Sequence, residues 1–323
     1  MDIGKQMNGT DGYIEIHPCH RLNVNSFVLT DNPSALCFSL HFVLGVLSLI
    51  TICGNLLVII SIIYFRQLHT PTNYLILSLA VADLLVGFVV FPLTLNFSFS
   101  LCRFEKDFFC IVRSTFDISL CTCSILNLCC ISIDRYYSVC QPLTYRAKIT
   151  DNVILIMILV SWTVSAFNGI GLTVMNQKRC EGNCFIDVVL VNIISLIFAF
   201  YGPVFVMLCI YFKIFLVAQK QARSIQGTQS GTMERKATKT LAMVMGLFLL
   251  CWLPFYICMP VMSFSPGSFL PLAFIELLNW LALINSTLNP FIYGLFYSWF
   301  RAAFRMIISG KIFMGNFANS KLQ

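Results

Sequence analysis

Apolar residues gather in seven windows along this chain, and shorter polar segments separate them. The windows are 37–65, 73–99, 108–140, 152–174, 188–218, 238–264 and 270–296. Each exceeds the roughly 20 residues that a helix needs to cross a bilayer. Because lipid cannot hydrogen-bond to an exposed backbone, the spans are predicted to be helices. The pattern therefore predicts an all-α membrane protein, a seven-transmembrane helix bundle with its two termini on opposite sides.

The polar segments complete the predicted organisation. Residues 1–36 lack the basic start and apolar run of a cleaved signal peptide, so we expect an extracellular N-terminal segment before the bundle at 37–296. A sequon in this segment predicts glycosylation of Asn8. Residues 297–308 mix apolar and basic positions at helical spacing, which predicts an amphipathic helix on the inner leaflet. Residues 309–323 form the predicted cytoplasmic tail.

Composition and charge agree with this organisation. The chain is 58% hydrophobic and 11% charged, which excludes an ordinary soluble domain. Of its 21 Lys and Arg residues, 14 fall near the ends of the first, third and fifth windows and in the C-terminal segment, so the positive-inside rule makes those parts cytoplasmic. The net charge of +7 follows from this topology and predicts contact with membrane lipid rather than nucleic acid.

The third window carries ionisable residues inside the membrane, where an ionised side chain is costly in free energy. Asp117 and Arg135 are 18 residues apart, which is five whole helical turns and about 27 Å along one face. Ionisable groups inside a membrane helix face a protein interior or a water cavity and usually serve a function there. We interpret Asp117 as the counter-ion of a cationic ligand. The alternative is an internal partner, Arg113, but we expect that residue to reach the surface and extend to water.

Aromatic residues of the sixth window could form the other wall of such a site. Trp252, Phe255 and Tyr256 share one helical face, which suits an ammonium ion by cation–π attraction; ordinary core packing is the alternative. Pro254 lies within this face. Together with Pro203 and Pro290, it predicts that three helices are broken at mid-membrane.

A buried acid in the second window has two interpretations. Asp83 lies at a depth that Ser124, Asn285 and Asn289 can also reach. Oxygen ligands suit a sodium ion, which would act as an allosteric modulator and be the only cofactor. The alternative is a network of polar groups that satisfy one another.

The inner end of the third window suggests a switch. Arg135 follows Asp134, and Glu234 lies at the foot of the sixth window. An ion pair between Arg135 and Glu234 would hold two helices together until a partner opens them. The alternative is a surface pair without a switching role.

Most of the 15 Cys residues lie in or beside the windows, where a small apolar side chain at a packing surface explains them; Cys37 is one of these. Four remain on the predicted extracellular side, namely Cys19, Cys110, Cys180 and Cys184. Spacing alone leaves all three connectivities of these four open.

Several short motifs, taken in order, carry a resemblance. They are Gly54-Asn55, Leu79-Ala80-Val81-Ala82-Asp83, Asp134-Arg135-Tyr136, Trp162, Pro203 with Tyr211, Cys251-Trp252-Leu253-Pro254 and Asn289-Pro290-Phe291-Ile292-Tyr293. Jointly they resemble the rhodopsin-like G-protein-coupled receptors. The run from Asn285 to Phe300 is similar to the seventh-helix fingerprint of the trace amine-associated receptors, most of which are olfactory.

The resemblance implies partners and site residues. It implies a small-molecule amine as ligand, a stimulatory heterotrimeric G protein that raises cyclic AMP, and a place in the plasma membrane, including the cilia of olfactory neurons. The implied ligand-binding residues are Asp117, Cys121, Ser195, Ala199, Trp252, Phe255, Tyr256, Asn279 and Leu283. The implied G-protein switch residues are Asp134, Arg135, Tyr136, Tyr211, Glu234 and Tyr293. The implied disulfides are Cys110–Cys184 and Cys19–Cys180.

Two departures and three alternatives accompany this interpretation. Leu283 stands where many amine receptors have a Tyr that closes the pocket. The fifth window has no second acid for a diamine, and Asp187 or Glu276 would have to substitute for it.

A receptor for serotonin, histamine or a catecholamine is the nearest alternative, and a transporter or channel is a remote one. A retinal protein is excluded because residues 240–310 contain no Lys. No nucleophile–base pair predicts an enzyme.

Overall fold

The computed structural model describes residues 13–17, 20–23, 29–31, 35–96, 108–177, 184–224, 243–258, 260 and 272–310. Seven long helices follow one another as the windows predict. They are α1 Ala35–Tyr64, α2 Pro71–Asn96, α3 Phe108–Cys140, α4 Asp151–Gln177, α5 from Cys184–Leu196 through Gly202–Ser224, α6 Met243–Cys258 and α7 Leu272–Phe296. Helices α1 to α5 each contain a stretch long and apolar enough to cross a membrane, and α6 is a shorter apolar helix. The helical membrane fold is confirmed, with these seven helices among the described residues.

Helix α3 occupies the middle of the bundle. It packs against α2, α4 and α5, and residues from these helices and from α6 share one buried apolar cluster. Ile125 and Phe248 are both fully buried in this cluster. We call the side of the bundle that holds Cys110, at the start of α3, the outer side, and the side that holds Arg135 the inner side.

Polar contacts fix α1 against α7. The Asn55 side chain donates to the carbonyl oxygens of Thr51, at 3.0 Å, and Ser286, at 3.1 Å. The hydroxyls of Thr51 and Thr287 are 2.6 Å apart. At Gly54 the helices approach so closely that a β-carbon would lie 2.9 Å from the Pro290 ring. The Gly54-Asn55 motif is therefore a packing device between two helices.

Local sequence explains the short elements on the inner side. Thr70 caps α2 by accepting a hydrogen bond from the backbone of Asn73, and Pro71 occupies the first helical turn, where its missing N–H costs nothing. A short helix, Pro142–Lys148, follows α3 and also starts with a proline. The window pattern does not predict it, because a seven-residue helix leaves no long apolar signal.

The amphipathic helix after the bundle is present as α8, Ser298–Ile308. Its Ala303 is fully buried against Phe65 and Leu68, which follow α1. Arg301 donates to the carbonyl oxygens of Gly294 and Leu295, each at 3.0 Å, which satisfies acceptors at the end of α7. The predicted surface helix is therefore confirmed, and one of its basic residues caps its neighbour.

The prolines disturb the helices less than the sequence predicts. Helix α6 runs without interruption through Pro254, and α7 does so through Pro290. Two short π-helical segments, in which the helix widens, interrupt the regular α-helix. They lie at Ile197–Tyr201, just before Pro203 in α5, and at Val86–Val90 in α2. The expected breaks at mid-membrane are therefore absent from α6 and α7, because a helix can bend around a proline without losing its other hydrogen bonds; the expected kinks at Pro254 and Pro290 stay predictions.

The N-terminal segment contains three short strands that the pattern of apolar windows does not predict. Strands β1 Tyr13–His17, β2 His20–Asn23 and β3 Leu29–Asp31 form an antiparallel sheet in that order. Some Cα atoms of β1 lie within 8 Å of Cα atoms in α7. Strands this short carry too little alternation to be recognised without their partner.

The close contact between α3 and α4 gives a first prediction. A β-carbon at Gly169 would collide with the Ser119 hydroxyl and lie 2.7 Å from the carbonyl oxygen of Thr115, whereas nothing lies within 4 Å of one at Gly171. Gly169→Ala should destabilise the fold by about 1–3 kcal/mol through overpacking. Gly171→Ala, the matched control, should be neutral or should stabilise by up to about 1 kcal/mol through helix propensity. Thermal unfolding of the purified proteins measures both, and equal melting temperatures would refute the close approach.

Candidate functional site

The outer half of α3 holds a carboxylate with spare hydrogen-bonding capacity. Asp117 is 15% exposed, and the thiol of Cys121 donates to its Oδ1 at 3.5 Å. Its Oδ2 is 4.0 Å from Nη2 of Arg113. A carboxylate accepts about four hydrogen bonds, so the contacts shown leave room for a ligand donor.

Arg113 was expected to reach the surface and extend to water. That expectation is wrong, because its side chain is buried. Its side chain is 1% exposed, and its Nε donates to the hydroxyl of Thr94 on α2 at 3.2 Å. The guanidinium lies one turn above Asp117 on the same face. The acceptor on α2 and the acid on α3 together keep the cation inside the protein. No pattern in the sequence indicates that Thr94 lies within reach of Arg113.

The aromatic residues of α6 pack beside this part of α3. Trp252 is 4% exposed and shares the central buried cluster with Cys121, while Tyr256 packs against that cluster. The rings of Trp252 and Tyr256 are 5.8 Å apart, and Phe255 meets Tyr256 edge-on at 5.6 Å. Phe200 of α5 stacks on Tyr256 at 3.8 Å. Phe200 was missed because one phenylalanine among 30 carries no signal of its own.

Ser195 of α5 is engaged with α4. Its hydroxyl donates to the side-chain oxygen of Asn168 at 2.6 Å, and the Asn168 amide donates to Thr122 at 3.1 Å. Ala199, one turn further along α5, is 8% exposed. Asn168 was not among the predicted site residues, although it is a polar residue inside an apolar window.

Two predicted ligand residues on α7 are buried. Asn279 is 4% exposed, and its amide nitrogen has no hydrogen bond within the described part of the chain. Leu283 is 1% exposed and belongs to an apolar cluster with residues of α1, α2 and α3. Glu276, one of the two acids considered as a second carboxylate for a diamine, is 2% exposed. The structure does not describe the side chain of Asp187, the other one.

At the inner end of α3, an acid and a base are joined to α2. Arg135 donates to Oδ2 of Asp134 through Nε at 3.0 Å and Nη2 at 2.8 Å, and also to the hydroxyl of Thr72. The Thr72 hydroxyl donates to the same carboxylate at 2.8 Å. From the short helix, Tyr145 donates to Oδ1 at 2.8 Å. Burial raises the pKa of Tyr145, so its hydroxyl keeps its proton and remains a donor.

Comparison with known proteins decides the family. The family model of the 7 transmembrane receptor (rhodopsin family) matches residues 54–293. Trace amine-associated receptor 1 of Macaca mulatta is 38% identical over 94% of this chain and 97% of its own length. Trace amine-associated receptor 4 of Mus musculus is 40% identical, over 95% and 96%. The chain belongs to the rhodopsin-family receptors, in their trace amine-associated branch.

The resemblance of the motifs is thus confirmed, and it has direct consequences. The protein is a multi-pass membrane receptor of the plasma membrane and not an enzyme. A third relative, trace amine-associated receptor 2 of Rattus norvegicus, is 40% identical over 84% of this chain and 85% of its own length. The likeness therefore covers the whole bundle and not only its motifs.

The other residues predicted to form the switch have the following positions. Tyr211 of α5 accepts a hydrogen bond from Ser132 at 3.2 Å. Ser132 lies one turn of α3 above Arg135. Tyr136 faces α5, with Lys213 6.0 Å from its ring centre. Tyr293 of α7 is 5% exposed. Glu234 lies outside the described residues, so the predicted Arg135–Glu234 pair stays a prediction.

The receptor uses one cysteine differently from the expectation. Cys110 is disulfide-bonded, and so is Cys37, which was interpreted as a packing cysteine. That interpretation is wrong, because Cys37 lies only two residues into α1 and its first turns reach the outer side. The side chains of Cys19, Cys180 and Cys184 and residue Asn8 lie outside the described side chains, so the two predicted pairings and the glycosylation stay predictions.

The mid-membrane acid of the receptor is fully buried. Ser124 donates to Oδ1 of Asp83 at 3.3 Å, and the Asn289 amide donates to Oδ2 at 2.6 Å. Asn285 is 3% exposed, and its amide nitrogen has no hydrogen bond within the described residues. The carboxylate and the hydroxyl offer oxygens that suit sodium, but Asn289 presents nitrogen and would have to turn its amide. These contacts leave both interpretations of the sequence open, a sodium site and a self-satisfied polar network.

Sodium binding at Asp83 remains a prediction that solution experiments decide. Replacing choline by sodium at constant ionic strength should stabilise the wild-type receptor by about 1–2 kcal/mol at concentrations several times the dissociation constant. Asp83→Asn should remove this difference, because an amide carries no charge to hold the ion. Melting temperatures in the two salts measure the effect. Equal temperatures for the wild type would leave the polar network as the correct interpretation.

Proposed function

We propose that this receptor is activated by a protonated amine and that Asp117 is the counter-ion. The observation that carries the proposal is a largely buried carboxylate, 15% exposed, on the central helix of a chain 38–40% identical to trace amine-associated receptors. An ammonium that reaches such a carboxylate gains a charge-assisted hydrogen bond, which is about twice as strong as a neutral one.

The aromatic residues beside α3 support the same ligand chemistry. Trp252, Phe255 and Tyr256 lie in mutual ring contact, and Phe200 extends the aromatic surface onto α5. Such rings attract a cation and enclose the apolar part of an amine. Together with Cys121, Asn279 and Leu283, they form the proposed ligand-binding region.

Ser195 weighs against one of the biogenic-amine alternatives, a catecholamine receptor. A receptor for catecholamines needs hydroxyl or acceptor groups on α5 that are free to bind the catechol. Here the Ser195 hydroxyl already donates to Asn168 at 2.6 Å, and Ala199 offers no polar group. A catechol oxygen could accept from the Ser195 hydroxyl only by displacing this bond, which leaves the Ser195 oxygen as an acceptor and no free donor from this pair of residues.

We propose that the response passes to a stimulatory G protein on the inner side and raises cyclic AMP. In the structure, Arg135 is held by Asp134 and Thr72. A ligand that binds better to the state in which α6 stands away from Arg135 shifts the population towards that state. The N-terminus is proposed to be extracellular, the C-terminus cytoplasmic, and the receptor to work in the cilia of olfactory neurons.

Asp117→Asn tests the counter-ion. The substitution keeps the shape of the side chain and removes its charge, so amine potency should fall by roughly 100-fold or more, about 2.7 kcal/mol. Cyclic AMP accumulation against amine concentration measures potency, and surface labelling confirms expression. Asp151→Asn, an exposed carboxylate at the start of α4, is the matched control and should leave potency unchanged. Wild-type potency in the Asp117 variant would contradict the proposal.

Asp134→Asn tests the inner switch. A charge-assisted hydrogen bond contributes about 1.5–3 kcal/mol, so removing the charge that holds Arg135 should raise ligand-independent signalling about tenfold. Asp151→Asn is the control, because it removes an exposed carboxylate at the start of α4 that is not one of the predicted switch residues. Basal cyclic AMP at matched surface expression is the measurement. A variant with unchanged basal signalling would show that this pair has no restraining role.

A further inference from the structure

Pro260 deprives a carbonyl oxygen at the outer end of α6 of its helical partner. In an α-helix each carbonyl oxygen accepts a hydrogen bond from the N–H four residues further along, so the Tyr256 oxygen is due to pair with residue 260. Pro260 lies in helical conformation two residues after Cys258, and a proline has no N–H to donate. An acceptor without a partner is costly where water is scarce. The Tyr256 carbonyl therefore needs a donor from outside its own helix.

Tyr201 of α5 supplies this donor. Its hydroxyl donates to the Tyr256 carbonyl oxygen at 3.0 Å. The Tyr201 side chain is 37% exposed, and its neighbours on the same helical face, Phe198 and Phe205, are more exposed still. This stretch of α5 is apolar and long enough to span the membrane, so its exposed face meets lipid, whose chains have no acceptor for a phenol hydroxyl. One hydrogen bond thus satisfies a donor and an acceptor that the lipid chains would leave unpaired.

Tyr256 lies at the centre of the aromatic residues. Phe200, which is fully buried, stacks on its ring at 3.8 Å, and the rings of Trp252 and Phe255 lie 5.8 and 5.6 Å from it. A shift of the Tyr256 backbone therefore changes three ring contacts at once. The hydrogen bond from Tyr201 holds that backbone where the ring meets Phe200.

We propose that Tyr201 is a positioning residue of the ligand-binding region and that its hydroxyl takes the place of the backbone donor that Pro260 lacks. The inference rests on the proposed function, because the residue that it positions, Tyr256, is one of those proposed to enclose the amine. Tyr201 itself faces lipid and acts only through Tyr256. Without the hydroxyl, the outer end of α6 turns the Tyr256 carbonyl towards another donor, and the ring leaves its place beside Phe200.

A double-mutant cycle on the purified full-length receptor tests the pairing. Tyr201→Phe removes only the hydroxyl and should lower the melting temperature by roughly 2–4 °C, the effect of one hydrogen bond in a chain of this size. In the Pro260→Ala background the same substitution should change it by less than about 1 °C, because alanine restores the backbone N–H and the Tyr256 carbonyl no longer needs Tyr201. Pro260→Gly restores the N–H as well and is the second background, should the methyl group of alanine disturb the packing.

Removal of another tyrosine hydroxyl provides the matched control. Tyr64→Phe acts at the inner end of α1, whereas Tyr201 contacts α6. It should change the melting temperature equally in the wild-type and Pro260→Ala backgrounds. Any general effect of alanine at position 260 on stability therefore cancels, and only a hydroxyl that replaces the missing N–H gives unequal changes.

Amine potency separates positioning from stabilisation of the fold. With surface expression matched, Tyr201→Phe should raise the half-maximal concentration of 2-phenylethylamine in the cyclic AMP assay about threefold to tenfold, and Pro260→Ala should reverse the loss. The potency of ethylamine should change less than about twofold, because this amine carries the ammonium for Asp117 but no ring for the aromatic residues. A contact that only stabilises the fold would lower the maximal response to both amines in the same proportion.

Three results would overturn the inference and can be told apart. An equal fall in melting temperature in the wild-type and Pro260→Ala backgrounds, or none in either, would show that the hydroxyl does not replace the missing N–H. The expected cycle with unchanged potency of 2-phenylethylamine would leave Tyr201 as a stabilising contact without a positioning role. If the wild type responds to neither amine, the proposed function fails and the positioning of an amine with it, whereas the melting temperatures still decide whether Tyr201 and Pro260 act as a pair.

Discussion

Charge buried in a bundle that lipid surrounds has to be neutralised by the protein itself, and this constraint shapes α3. Arg113 and Asp117 face each other at its outer end, and Asp134 and Arg135 do so at its inner end. Asp83 of α2, fully buried, is satisfied by donors from α3 and α7. Since an unpaired charge in such surroundings is costly, each of these groups determines which helix must lie beside it. The polar residues therefore specify which helices lie beside each other, while the apolar residues specify only that each helix spans the membrane.

The sequence predicted what depends on long apolar windows and missed what depends on single contacts. The seven helices, the surface helix and the family followed from pattern and motif, because those signals repeat over many residues. The position of Arg113 did not follow, because periodicity places it on the right face but cannot show that Thr94 offers an acceptor. The disulfide at Cys37 was missed for a similar reason, since a cysteine near a helix end suits packing and bonding equally well. The three short strands need partners that no local pattern reveals.

The outer and inner ends of α3 are joined by more than the helix itself. One turn below Asp117, Cys121 enters the buried cluster that also contains Trp252, and Ser124 reaches Asp83 on the next turn. Nearer the inner end, Ser132 meets Tyr211 of α5. From the carboxylate of Asp117, the contacts thus reach α6 and the outer part of α5 first, α2 and α7 second, and the inner part of α5 last. This order shows that contacts are continuous, whereas coupling requires an element with two arrangements.

Helix α6 has the features of such an element. Above Pro254, two adjacent residues of α5 hold Tyr256: Phe200 stacks on its ring at 3.8 Å, and the Tyr201 hydroxyl donates to its carbonyl oxygen at 3.0 Å. Adjacent residues of a regular helix point about 100° apart, so the wide turn at Ile197–Tyr201 helps both to contact the same neighbour. At Pro254 itself, one helical hydrogen bond is missing. Because α6 is held on the outer side of Pro254 and lacks a hydrogen bond there, a bend at this point would displace the half of α6 nearer the inner side.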